Sequence, residues 1–193
     1  MLLRARLTLA DNKGPDMTSR GERGFTLIEL LVAIAIIGVI VAIAAPQLLR
    51  ARSSGNEASA IASLRAIHSG QATYASSCAR GGYAQSLADL ANAPGGSVAG
   101  FISPDLAANG VMKSGYILNV APGTVATVVT AKDDVCNAPA DDALASFFAE
   151  AHPAAIGSSG QRSFGMDQRG TIYQENSGAT LTSVLPASAT PVR

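Results

Sequence analysis

Residues Gly24 to Ala45 read GFTLIELLVAIAIIGVIVAIAA, and no other stretch of the 193-residue chain constrains its fold as strongly. From Phe25 to Ala45 only Thr26 and Glu29 are polar among 21 residues. At about 1.5 Å rise per residue, a helix of that length covers roughly 31 Å, close to the hydrocarbon thickness of a bilayer. Ala, Leu, Ile and Val fill it without a polar stripe, and an all-round apolar helix belongs in a membrane or in the middle of a packed assembly. Arg4, Arg6, Lys13, Arg20 and Arg23 precede the run, whereas only Arg50 and Arg52 follow it closely. The positive-inside bias therefore puts the N-terminus in the cytoplasm and the rest outside.

Glu29 is the anomaly in this run. A carboxylate at the centre of a membrane helix costs a few kcal/mol, and less near the interface. Glu29 lies one turn from Phe25, so one reading places it among the headgroups at little cost. The other gives it a cationic partner. Cleavage after Gly24 would free an α-amine at Phe25, and a neighbouring copy of the chain would then present that cation.

The segment Gly24-Phe25-Thr26-Leu27-Ile28-Glu29-Leu30 closely resembles the processing site of prepilins, the precursors of type IV pilins and of the pseudopilins of type II secretion. The resemblance covers residues 20 to about 75, and the remainder matches only in general layout. It implies that a membrane peptidase cuts after Gly24 and methylates Phe25, that Glu29 pairs with a neighbour's N-terminus during assembly, and that Pro46 kinks the helix. It also implies partners: other copies of the chain in a homopolymer or mixed filament, the prepilin peptidase, an inner-membrane assembly platform and a cytoplasmic ATPase. The implied location is the bacterial inner membrane, then a periplasmic or cell-surface filament. The leader, residues 1–24, is long for the family, and Met17 offers a second start that would shorten it to MTSRGERG. A secretory signal cleaved after Ala42-Ile43-Ala44 is the rival reading, but the apolar run is longer than a signal core and Glu29 interrupts its start. An unprocessed single-pass anchor is a further alternative.

Composition narrows the function classes. The formal charge is balanced, 14 basic against 14 acidic. Removing residues 1–24, with five basic and three acidic side chains, leaves 9 against 11 and a net charge of −2. There is no basic patch of the kind that binds nucleic acid. His68 and His152 are the only histidines, and no phosphate loop, His/Cys cluster or nucleophile elbow is present, so an enzyme is not expected. His68 would line the helix–sheet contact or face solvent, and His152 would close a short helix. Asp133, Asp134, Asp141 and Asp142 have oxygens suited to Ca²⁺, but their spacing matches no calcium loop; neither a metal nor another cofactor is predicted. Cys78 and Cys136 both follow the apolar run. In an oxidising compartment a disulfide is the default, and a two-Cys metal site lacks further ligands.

Beyond the run the helical pattern turns amphipathic. Ile61, Leu64, Ile67 and Tyr74 recur near one face, with Arg52, Glu57, Ser63 and Arg65 available for others. Pro46 with Ser53-Ser54-Gly55 marks residues 46–56 for a bend or local melting. The expected organisation is a leader (1–24), a transmembrane and assembly helix (25–45), its amphipathic continuation (46–77) and a periplasmic or extracellular head (78–193). In the head, Ser86 caps a short helix and residues 92–100 form a loop. Residues 116–120 and 124–130 pair around Pro122-Gly123, and Asp141 or Asp142 starts a helix reaching Glu150. Residues 162–166 pair with 171–175, and the tail from Asn176 is a loose strand or flexible end. This is α+β: a long N-terminal helix packed on about four antiparallel strands. A type IV pilus subunit is the leading functional expectation. A type II secretion pseudopilin is the alternative, and a minor subunit at the filament tip is a further one.

Overall fold

The computed structural model describes residues 24–192, so the expected leader up to Arg23, with Met17, lies outside the described residues. The chain divides between Ile43 and Ala44 into two units. In the first, Gly24–Thr26 lead into helix α1 (Leu27–Ser77), and every residue from Gly24 to Ile43 is exposed.

In the second unit α1 continues to Ser77 and becomes one wall of a core. Its buried face steps through Glu57, Ala60, Leu64, Ile67, Gln71 and Tyr74, the three-and-four spacing that keeps one helix face inward. Leu64, Ile67 and Tyr74 are fully buried, each contributing about 1.5–3 kcal/mol of apolar transfer. Glu57 and Ser63, expected on other faces, instead lie buried on the inward side. Of the bend or local melting expected at 46–56, the melting does not occur, since the helix runs on through these residues. Pro46 is accommodated inside it, where it withholds one backbone donor.

The head follows as α2 (Leu87–Ala91), β1 (Val111–Lys113), β2 (Tyr116–Pro122), β3 (Val128–Thr130), β4 (Ala143–Leu144), β5 (Phe147–Pro153), β6 (Ser163–Asp167), β7 (Ile172–Glu175) and β8 (Thr190–Pro191). Among the described residues, six strands form an antiparallel sheet in the order β1-β2-β5-β6-β7-β8, and β3 pairs with β4 separately. The architecture is α+β, with the amphipathic part of α1 packed on the sheet. Ala60, Leu64, Ile67 and Tyr74 share one core with Leu118, Val120, Phe147, Ala149, Ala151 and Phe164. There are more strands than the expected four, because several are only two or three residues long.

Expected local features that form include the cap at Ser86, whose hydroxyl accepts from Asp89 N at 3.1 Å, and the β6–β7 hairpin. Three others are corrected. β2 does not fold back on 124–130; it pairs with β1 and, from Tyr116↔Pro153 to Pro122↔Phe147, with β5. Residues 143–144 and 147–153 are strands, not helix, and Asp142 accepts from Lys132 N instead of capping a helix. His152 accordingly lies in β5. The tail is tied down: Leu181 is buried, Ser163 Oγ donates to Ala179 O at 2.6 Å, and β8 pairs with β7. A Cβ on Gly165 would lie 2.7 Å from Phe148 and 3.2 Å from Leu181, so these two side chains fill the space over that glycine.

Two side chains act as surrogate backbone. Gln71, fully buried on α1, donates to Ala84 O at 2.7 Å and accepts from Ala84 N at 2.9 Å. Asn109 accepts from Leu87 N and Val120 N and donates to Val120 O. Each satisfies buried main-chain groups where no strand lies alongside.

Candidate functional site

The N-terminal segment starts as a capping box. Thr26 Oγ1 accepts from Glu29 N at 3.2 Å, while Glu29 Oε2 accepts from Thr26 N at 3.1 Å and from Thr26 Oγ1 at 2.9 Å. The pattern Thr-x-x-Glu satisfies donors that the first turn of a helix leaves free. Glu29 thus has a local role that the sequence reading missed, although the spacing signals it. Phe25, 80% exposed, stands just ahead of this cap.

Gly24 meets no steric demand. Among the described residues, a Cβ added there would find nothing within 4 Å. Packing among the described residues therefore does not call for glycine at this position. α1 is long and apolar enough to cross a membrane, with Glu29 its only ionisable residue before Arg50.

Cys78 and Cys136 are joined, with Cα atoms 5.0 Å apart. Cys78 follows α1 directly, and Cys136 lies between β3 and β4. The expected disulfide therefore pins the helix end to the head.

Glu57 and Arg162 fasten α1 to the loop before β6. Arg162 donates through Nε at 3.0 Å and Nη2 at 2.5 Å to Glu57 Oε2, and Gln161 N donates to Glu57 Oε1 at 3.2 Å. Burial alone would raise the Glu57 carboxyl, but the guanidinium and the N–H outweigh it and hold the group below its ordinary 4.5. A depressed folded value stabilises the fold above the unfolded value, and this contribution is lost as pH falls through the folded one. The thermal midpoint of the head is therefore expected to decline on acidification below about pH 4.5. Glu57→Gln should flatten that limb; an unchanged acid limb in this variant would count against the ion pair.

His68 Nε2 lies 3.3 Å from Gln168 O, at the helix–sheet contact. His152 Nδ1 sits 3.0 Å from the buried carboxylate of Glu150, to which Asn119 also donates. Among the described residues, no group of three or more His, Cys, Asp or Glu converges as a metal set would, and Asp133, Asp134, Asp141 and Asp142 form none.

Comparison with known proteins bears on the N-terminal part. The family model described as the prokaryotic N-terminal methylation motif matches residues 19–45. The type IV major pilin protein PilA of Myxococcus xanthus (strain DK1622) is 38% identical over 53 residues, which is 28% of this chain. The match spans about a quarter of that relative's length, 24%. No solved structure matches the chain. The N-terminal segment thus carries a prokaryotic methylation motif on a helix apolar enough to cross a membrane, and the chain is similar over part of its length to a type IV major pilin.

Proposed function

We propose that the chain is a structural subunit of a type IV pilus-like filament. It is made as a precursor with leader 1–24, cut after Gly24, N-methylated at Phe25 and polymerised through residues 25–45. Residues 46–77 carry the helix onto the head, 78–193. The observation that carries this reading is an apolar run exposed at every residue from Gly24 to Ile43, with Phe25 and Glu29 at its head. A surface this apolar needs lipid or other copies of the chain to cover it.

Before assembly the subunit sits in the inner membrane with its N-terminus in the cytoplasm. A prepilin peptidase processes it, and a membrane platform driven by a cytoplasmic ATPase adds it to the filament. Lipid is as apolar as the filament core, so side-chain packing and charge pairing, with the motor, must drive transfer. The subunit has a structural role and needs no cofactor. The printed name of the Myxococcus relative, a major pilin, supports the pilus over a secretion pseudopilin.

Mass spectrometry of the native N-terminus tests this, comparing material sheared from cells with the membrane fraction. N-methylated Phe25 abundant in the sheared fraction is the expected result. The same N-terminus confined to membranes would favour the secretion filament, and a chain starting at Ala45 would overturn both. Gly24→Leu is expected to leave only the uncut precursor, because a bulky side chain now precedes the scissile bond. A mature-length product from that variant would refute the assignment.

A further inference from the structure

A cleft of about 390 Å³ opens between α1 and the head, lined by Leu49, Arg50, Ser53 and Ser54 of the helix and by Gln161, Arg162 and Asn176 opposite. Its one carboxylate, Glu57, is already engaged by Arg162 and Gln161 N. Arg162 uses three N–H groups on Glu57 and on Gln174 Oε1, so among the described residues two of its five donors have no partner. Among the described residues Arg50 has no acidic partner. The cleft therefore keeps unspent cationic donors, two serine hydroxyls and an apolar rim formed by Leu49.

Arg50 stands five positions past Ala45, the last residue of the apolar run. At helical rise this is about 7–8 Å, the depth of the headgroup layer when the run spans the hydrocarbon. Arginine and hydroxyl donors at that depth match a phosphate in charge and geometry, and the neighbouring Leu48 and Leu49 are exposed.

We propose that this cleft binds an anionic phosphate group, supplied in the membrane by a phospholipid headgroup that seats the subunit before assembly. The inference rests on the membrane reading of residues 25–45. The test uses the full processed chain in neutral detergent, offered equal phosphatidylglycerol and phosphatidylcholine, with retained lipid counted by native mass spectrometry.

Wild type is expected to retain the anionic lipid by about tenfold, as one charge-assisted contact allows. Arg50→Gln should bring retention near parity. Arg52→Gln, a neighbouring exposed arginine that does not line the cleft, should keep the preference. Inorganic phosphate alone, followed by ³¹P NMR, identifies the source. Binding that depends on Arg50 and displaces the lipid supports a phosphate site filled from solution, and failure to displace it supports the headgroup. No preference in wild type, or equal losses in the two arginine variants, overturns the proposal in favour of general surface charge. A chain that does not enter the micelle overturns the membrane reading itself.

Discussion

Replacing Glu29 with Ala is expected to leave the precursor cut and methylated while filament yield falls at least about 100-fold. In the proposed filament the carboxylate meets a neighbour's Phe25 amine among packed apolar helices. Removing one partner of such a buried pair costs about 3–5 kcal/mol, because the remaining charge is stranded, and every 1.4 kcal/mol is tenfold in equilibrium. The capping box complicates this test, since Glu29→Ala also removes the acceptor for Thr26 N. Loss of a cap costs only about 1 kcal/mol, so the two roles differ in size. Glu29→Gln separates them. Gln serves in a capping box but carries no charge. Quantifying sheared filaments should show Gln as deficient as Ala; recovery by Gln would mean that the carboxylate acts on the helix start and not between subunits.

The second large effect concerns the disulfide. Cys78→Ser with Cys136→Ser is expected to destabilise the head by about 4 kcal/mol, the loop-closure estimate for a crosslink of this span. A separation of 58 residues sets that scale. In calorimetry, this corresponds to a thermal midpoint lower by about 10 °C. Noncovalent contacts run parallel to the bridge: Thr130 Oγ1 donates to Ala79 O, Asn137 Nδ2 to Asp89 O, and Gln71 holds Ala84. A drop of less than about 2 °C would mean that these alone pin the loop.

What could be read in advance tracks how local each signal is. The apolar run and the spacing of Leu64, Ile67 and Tyr74 are properties of neighbouring residues, so α1 was legible almost to its ends. The same holds for the Ser86 cap and the β6–β7 hairpin. β5 was not legible. Leu144, Phe147 and Phe148 fall at helical intervals behind two Asp residues, which imitates a capped helix. In the structure β5 is a central strand buried on both faces from Phe147 to Ala151, so it lacks the alternation that identifies a half-buried strand.

Long-range partners were equally hidden. Nothing near Pro122-Gly123 announces that β2 pairs forward with β5 and backward with β1. Glu57 looked like a solvent residue because Arg162, which neutralises it, lies 105 positions away. At the candidate processing site, Gly24, Phe25 and Glu29 were legible as a motif. The capping box was visible in Thr26 to Glu29 but was masked by the more conspicuous carboxylate.

The bridge between Cys78 and Cys136 has a consequence for proteolytic damage. Residues 95–99 form an exposed loop with Val98 fully open to solvent, and they lie between the two cysteines. A protease cutting there separates no mass from the subunit, because both fragments stay covalently joined. A nicked filament would keep its full complement of heads, and the cut would become visible only when a reducing gel releases two fragments from what ran as one chain.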